Sequence, residues 1–177
     1  EDCELDAESQ AWLTLPASKE EKANFLKKIG AESFDDCILV AIQSMEEHIP
    51  MCIKDLSQLG LLNSLAHRMR DMEKAGELAK FKAALSIANI HSAEDVILIA
   101  NEISKYKLHH EPTSVIEYAK VKFQAEYGDK LPESMVQHFN FATYGETLYN
   151  KGNLKITEYG VLETPIRKNE DKGMEVG

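Results

Sequence analysis

Cysteine is scarce, and what there is forms no framework. Cys3, Cys37 and Cys52 show no CxxC spacing, which fits a reducing compartment and leaves either a Cys37–Cys52 bridge or two buried thiols in strands. Glycines occur singly, at the ends of predicted elements, so no loop cradles a phosphate. A nucleophile elbow and HExxH are missing as well. No apolar run approaches the eighteen or so residues of a bilayer span, and the opening EDCELDAESQ is too acidic for a cleavable leader. The expected setting is the cytoplasm, with no membrane association. The chain does not start with methionine, which leaves room for a longer protein. Basic residues cluster only briefly, at Lys105/Lys107 and Lys120/Lys122, so no patch for direct nucleic-acid binding is expected.

The remaining candidates for chemistry are thin. His109-His110-Glu111 suggests metal ligands, but adjacent side chains on a strand point to opposite faces and no second pair lies at ligand spacing. His48, His67, His91 and His138 each stand alone. Asp35/Asp36 and Glu46/Glu47 read as solvated turns, because nothing around them would raise a carboxyl pKa for hydrolysis. No catalytic residue, metal or cofactor is expected, and the protein reads as a non-enzyme.

What the chain does have is acid. It carries 30 Asp/Glu against 20 Lys/Arg, a net charge of −10. The excess is uneven: residues 1–55 hold 13 acids and 5 lysines, residues 56–104 hold 6 acids and 5 bases, and residues 105–177 hold 11 and 10. Such a surface suits solubility, and equally a basic partner that itself binds nucleic acid.

Periodicity organises the middle. Leu59, Leu62, Leu65, Ala66 and Met69 recur at spacings of three and four, as do Leu78, Phe81, Ala84, Leu85 and Ala88. Ser92 caps a third helix, with Asp95 at the capping-box position. Before this helical block, AWLTLP (11–16) has strand composition, Ser18 and Glu21 form a capping box for a helix ending at Gly30, DDCILVAIQS (35–44) reads as a buried strand, and IPMCIKDL (49–56) as a second. After it, KYKLHH (105–110) is a short strand. A helix capped by Thr113 or Ser114 runs to Gly128, a short helix has Pro132 in its first turn, and FATYGETLYNKG (141–152) is helical. LKITEYGVLE (154–163) alternates as one strand, and the aromatics Phe139, Phe141, Tyr144, Tyr149 and Tyr159 fit a small core. The predicted class is α+β, in three small units at 11–55, 56–104 and 105–163, with a disordered tail at 164–177.

Three stretches, taken in order, carry a family resemblance. AWLTLPASKEE resembles a W-x-x-L-P strand leading into a helix. LLNSLAHRMRDMEKAGELAKFKAAL resembles a helical pair, and LPESMVQHFNFATYGETLYNKGNLKITEYGVL resembles a terminal P-E-x-L…Y-G segment. Together, over roughly residues 11–163, they resemble the ArdA antirestriction family of conjugative plasmids and transposons. Where that family tends to read acidic, this chain has Asn140, Phe141, Ala142 and Thr147, and Gln124 and Ala125 upstream, which marks a diverged member.

The resemblance implies three small domains in an elongated row, α+β outside and helical in the middle. It also implies a homodimer forming a curved acidic rod that imitates bent DNA and occupies the DNA groove of type I restriction–modification enzymes. Duplex DNA presents one negative charge per ~1.7 Å, so an imitation of ~20 base pairs needs on the order of 40 carboxylates; a dimer of this chain would hold 60, against 40 Lys/Arg. The expected contact residues are Glu20, Glu21, Glu32, Asp35, Asp36, Glu46, Glu47, Asp55, Glu126, Asp129, Glu133 and Glu146. The alternative is an accessory module of a mobile genetic element whose helical middle docks a protein through apolar contacts.

Overall fold

The computed structural model describes residues 10–44, 46, 49, 53–128 and 130–165. The architecture is α+β, helices with one small antiparallel sheet. Two compact units divide it: the described chain through Phe81 with Asn89–Asn101, and Lys82–Ala88 with the described chain from Glu102.

In the first unit, residues 10–16 form no ladder among the described residues, and the Leu15–Pro16 peptide is cis. The strand expected at AWLTLP is therefore irregular chain. Helix α1 (Lys19–Ile29) follows with the predicted box: Ser18 Oγ accepts from Glu21 N–H at 3.2 Å, and Glu21 Oε2 accepts from Ser18 N–H at 2.6 Å. Gly30 closes it at φ 72°, a left-handed position that costs glycine nothing.

The buried strand expected at 35–44 is not present. Phe34–Asp36 is a 3-10 turn, because Ser33 and Asp36 cap each other, and the chain beyond it is irregular. Ile38 is 73% exposed and Val40 65%, so apolar composition misled where no neighbouring surface covers these side chains. Of the strand expected at 49–56, residues 50–52 lie outside the described residues, and Leu56 begins another 3-10 turn, Leu56–Gln58. Cys37 carries a free thiol, half-buried and outside any strand; Cys3 and Cys52 lie outside the described residues.

The helical middle holds. Helices α2 (Leu59–Lys74), α3 (Leu78–Ser86) and α4 (Ala93–Glu102) carry the expected faces. Leu65 and Met72 are buried on α2, Phe81 and Leu85 on α3, Val96 and Ile99 on α4; full burial of one such side chain contributes ~1.5–3 kcal/mol. Ser92 Oγ accepts from Asp95 N–H at 3.3 Å, and Asp95 Oδ2 accepts from the N–H groups of His91 and Ser92, both at 3.0 Å.

The second unit contains the sheet. Strand β1 (Lys107–His109) pairs with β3 (Gly160–Glu163), which also pairs with β2 (Leu154–Thr157), in the order β1-β3-β2. The single strand expected at 154–163 is thus a hairpin, turned at Glu158–Tyr159, where Tyr159 N–H donates to Thr157 Oγ1 at 3.2 Å. Helices α5 (Val115–Tyr127), α6 (Glu133–Gln137) and α7 (Phe141–Tyr149) complete it. Pro132 stands at the N-cap of α6 rather than in its first turn. The core joins Tyr118 and Ala119 of α5, Leu148 of α7, Leu154 of β2 and Val161 of β3. Of the aromatics expected there, Tyr144 packs against that core, Phe139 and Phe141 meet the buried Phe123 ring at 4.3 and 5.3 Å, and Tyr149 is exposed. Helices α5 and α7 approach closely because residue 145 is glycine: a Cβ there would lie 3.0 Å from Val115 O. Of the tail expected from 164, Thr164 is held by Asn153 O, 2.7 Å from its N–H; residues 166–177 lie outside the described residues.

Candidate acidic interaction surface

The twelve expected contact carboxylates fall into three groups. Glu20, Glu21, Glu32, Asp35, Asp36, Asp55, Glu126, Glu133 and Glu146 are exposed. Glu46 is buried, 8% exposed, so the solvated turn expected at Glu46-Glu47 does not describe its side chain. Ser44 Oγ accepts from Glu46 N–H at 3.1 Å, and Glu46 O accepts from Ile49 N–H. Glu47 and Asp129 lie outside the described residues.

Local chain chemistry sets where the exposed acids of the first unit stand. Glu20 and Glu21 occupy the first turn of α1, where the helix dipole favours negative charge. Asp36 accepts from Ser33 N–H at 3.0 Å and from Ser33 Oγ–H at 2.9 Å. Asp55 caps the second 3-10 turn, accepting from the N–H of Ser57 at 2.9 Å and from its hydroxyl. The Asp35/Asp36 turn packs beside the turn that Asp55 caps, so these three carboxylates are gathered locally. Donation from the Ser18 backbone and hydroxyl holds Glu21 below the ordinary carboxylate pKa, and the Ser57 hydroxyl and N–H do the same for Asp55. Both remain charged into acid.

In the second unit, Glu126 stands near the end of α5, Glu133 opens α6 and Glu146 lies on α7. Burial first, and then the charge of Glu126, raises the Tyr144 phenol pKa, which puts Glu126 within reach of α7. Among the described residues, the Lys–carboxylate pairs are Lys80–Glu77, Lys105–Glu102 and Lys122–Glu126. Of the nine exposed candidates, Glu126 alone joins one of them. Two of these three pairs use acids other than the candidates.

Sequence reading missed Glu163. From the end of β3 its Oε1 accepts from Tyr118 O–H at 2.6 Å and lies 2.7 Å from His109 Nε2. His109 meets the Tyr118 ring edge-on at 5.0 Å. Burial alone would push the Glu163 carboxyl up; hydrogen bonds from Tyr118 and His109 outweigh it and hold the group low. Burial and the same bond raise the Tyr118 phenol. His109 is thus held by a carboxylate 54 residues away, a partner no local motif announces. Among the described residues no three His, Cys, Asp or Glu side chains are placed to hold a metal ion, and no helix is long and apolar enough to cross a membrane.

Comparison with protein families matches residues 8–163 to the model of the antirestriction protein family, ArdA. Comparison with curated proteins gave no match.

Proposed function

The chain belongs to the ArdA antirestriction protein family, and on that premise we propose that it is a non-enzymatic decoy whose carboxylates stand in for DNA phosphates. The target is a type I restriction–modification enzyme, occupied in its DNA-binding groove by a homodimer of this chain. The observation that carries this reading is the set of nine exposed candidate acids, eight of them outside the Lys–Glu pairs of the described residues. Exposed carboxylate charge that no close lysine pair takes up is what a phosphate-binding groove recognises. The capped acids Glu21, Asp36 and Asp55 add fixed positions, because each is tied to its own turn. The arrangement of 11–55, 56–104 and 105–163 as three units in an elongated row, with Glu47 and Asp129 adding to the charge, belongs to the same proposal.

Phage plating tests it directly. Cells that restrict unmodified phage through a type I enzyme should lose that restriction when they express this protein. A joint Glu20→Gln, Asp35→Asn, Asp55→Asn variant should restore much of it. Unchanged restriction in cells holding the folded protein would end the proposal. Binding to the purified enzyme should also weaken steeply with salt; affinity indifferent to salt would favour docking through the apolar faces of the helical middle.

A further inference from the structure

The chain contains a single tryptophan, and Trp12 is 68% exposed. It stands in an open cleft of about 320 Å³ in the first unit, shared with Leu13 and with Glu21, Asn24, Phe25 and Lys28 of α1. We propose that this cleft is an arginine-docking site, in which the Trp12 indole takes the face of a guanidinium from a cationic partner protein. The proposal rests on the decoy reading for the partner's identity, but its chemistry stands on the cleft.

Three observations select arginine. An exposed indole is the strongest aromatic acceptor for a cation, and guanidinium, planar and weakly hydrated, stacks on it where ammonium does not. Leu13 and Phe25 offer apolar surface for the aliphatic stem of the same side chain. Glu21 supplies the anion. Its charge persists because the Ser18 N–H, which donates to Oε2, and the Ser18 hydroxyl hold its pKa low. Lys28 stands seven residues further along α1, about 10 Å at the helical rise, so it repels a cation from its own end of the cleft, and the Arg70 charge also reaches Glu21. The sequence that precedes Trp12 is acidic as well: residues 1–9 carry five carboxylates and no Lys or Arg.

The single tryptophan makes the test specific. The full chain is titrated with nine-residue polyarginine, polylysine of equal length and a neutral leucine-rich peptide, following Trp12 emission. Polyarginine should change the emission and bind three- to thirty-fold more tightly than polylysine. Trp12→Phe should keep part of that preference and Trp12→Leu should abolish it, both measured by calorimetry, with urea midpoints unchanged. Equal binding of the two cationic peptides, preference for the leucine peptide, or emission that follows protein concentration alone would overturn the proposal. A second arm measures inhibition of a type I restriction enzyme, which Trp12→Leu should weaken by a similar factor. Arginine preference without any inhibition would retire the decoy and keep the cleft. Full inhibition by Trp12→Leu, with no arginine preference in the unsubstituted chain, would retire the cleft and keep the decoy.

Discussion

Asp36 and Glu163 are both carboxylates with two close partners, and they do opposite work. Asp36 binds Ser33, three residues back, and stays at the surface. Glu163 binds Tyr118 and approaches His109, 45 and 54 residues back, and ties β3 to α5 and β1. The first arrangement shapes a turn and leaves a charge in water; the second uses up the charge inside the fold. The contrast shows which acids a decoy can offer: those whose bonds are local and whose second face is wet. Glu163 and the buried Glu46 are not among them.

The comparison can be broken from its structural side first. Gly160 lies at φ 123°, and a Cβ on it would meet His109 O at 2.1 Å. Gly160→Val should therefore separate β1 from β3 and cost about 3–5 kcal/mol, seen as a lowered urea midpoint. Glu163→Gln is milder. It keeps an acceptor for Tyr118 and loses the charge, at about 1–3 kcal/mol. Because the native Glu163 carboxyl is held below its unfolded value near ~4.3, its contribution is complete above that pH and fades as acid titrates the folded group. The glutamine variant should accordingly show a flatter acid limb in unfolding measured from pH 6 to pH 3.

Smaller effects sharpen the other side. Ser18→Ala removes the α1 cap, worth ~1 kcal/mol, and should let the Glu21 carboxyl titrate closer to its ordinary value by NMR. Asp35→Asn touches no described bond of the Asp35 side chain and should change stability by less than about 0.5 kcal/mol, while subtracting from inhibition of the restriction enzyme. If Asp35→Asn proved as destabilising as Glu163→Gln, the division between wet and consumed acids would fail.

How much could be read from sequence follows the range of the physics. The α1 and α4 boxes were legible because their partners lie three residues apart, as were the α2 and α3 faces, whose period repeats within one element. The 35–44 stretch was misread because apolar composition cannot say whether another surface covers it; Ile38 and Val40 lie open instead. The β2–β3 turn was missed because Gly160 looked like one more residue in an alternating run, although a glycine two residues beyond Thr157-Glu158 is a hairpin signal. Among the site residues, exposure was expected correctly for nine, since charged side chains are seldom buried. Trp12 and Glu163 escaped because their roles depend on the cleft beside α1 and on a long-range contact.

The strand order has a consequence for the newborn chain. Among the described strands β3 is the last to be synthesised and the middle one of its sheet, so β1 waits about fifty residues for its partner and β2 has no neighbour until then. No pairing in this sheet can begin until Gly160–Glu163 emerges: the β2–β3 hairpin can close then, and β1 can join only through β3. A transcript cut short before that point would yield no partial sheet at all, only two orphan strands for the cell's proteases to find.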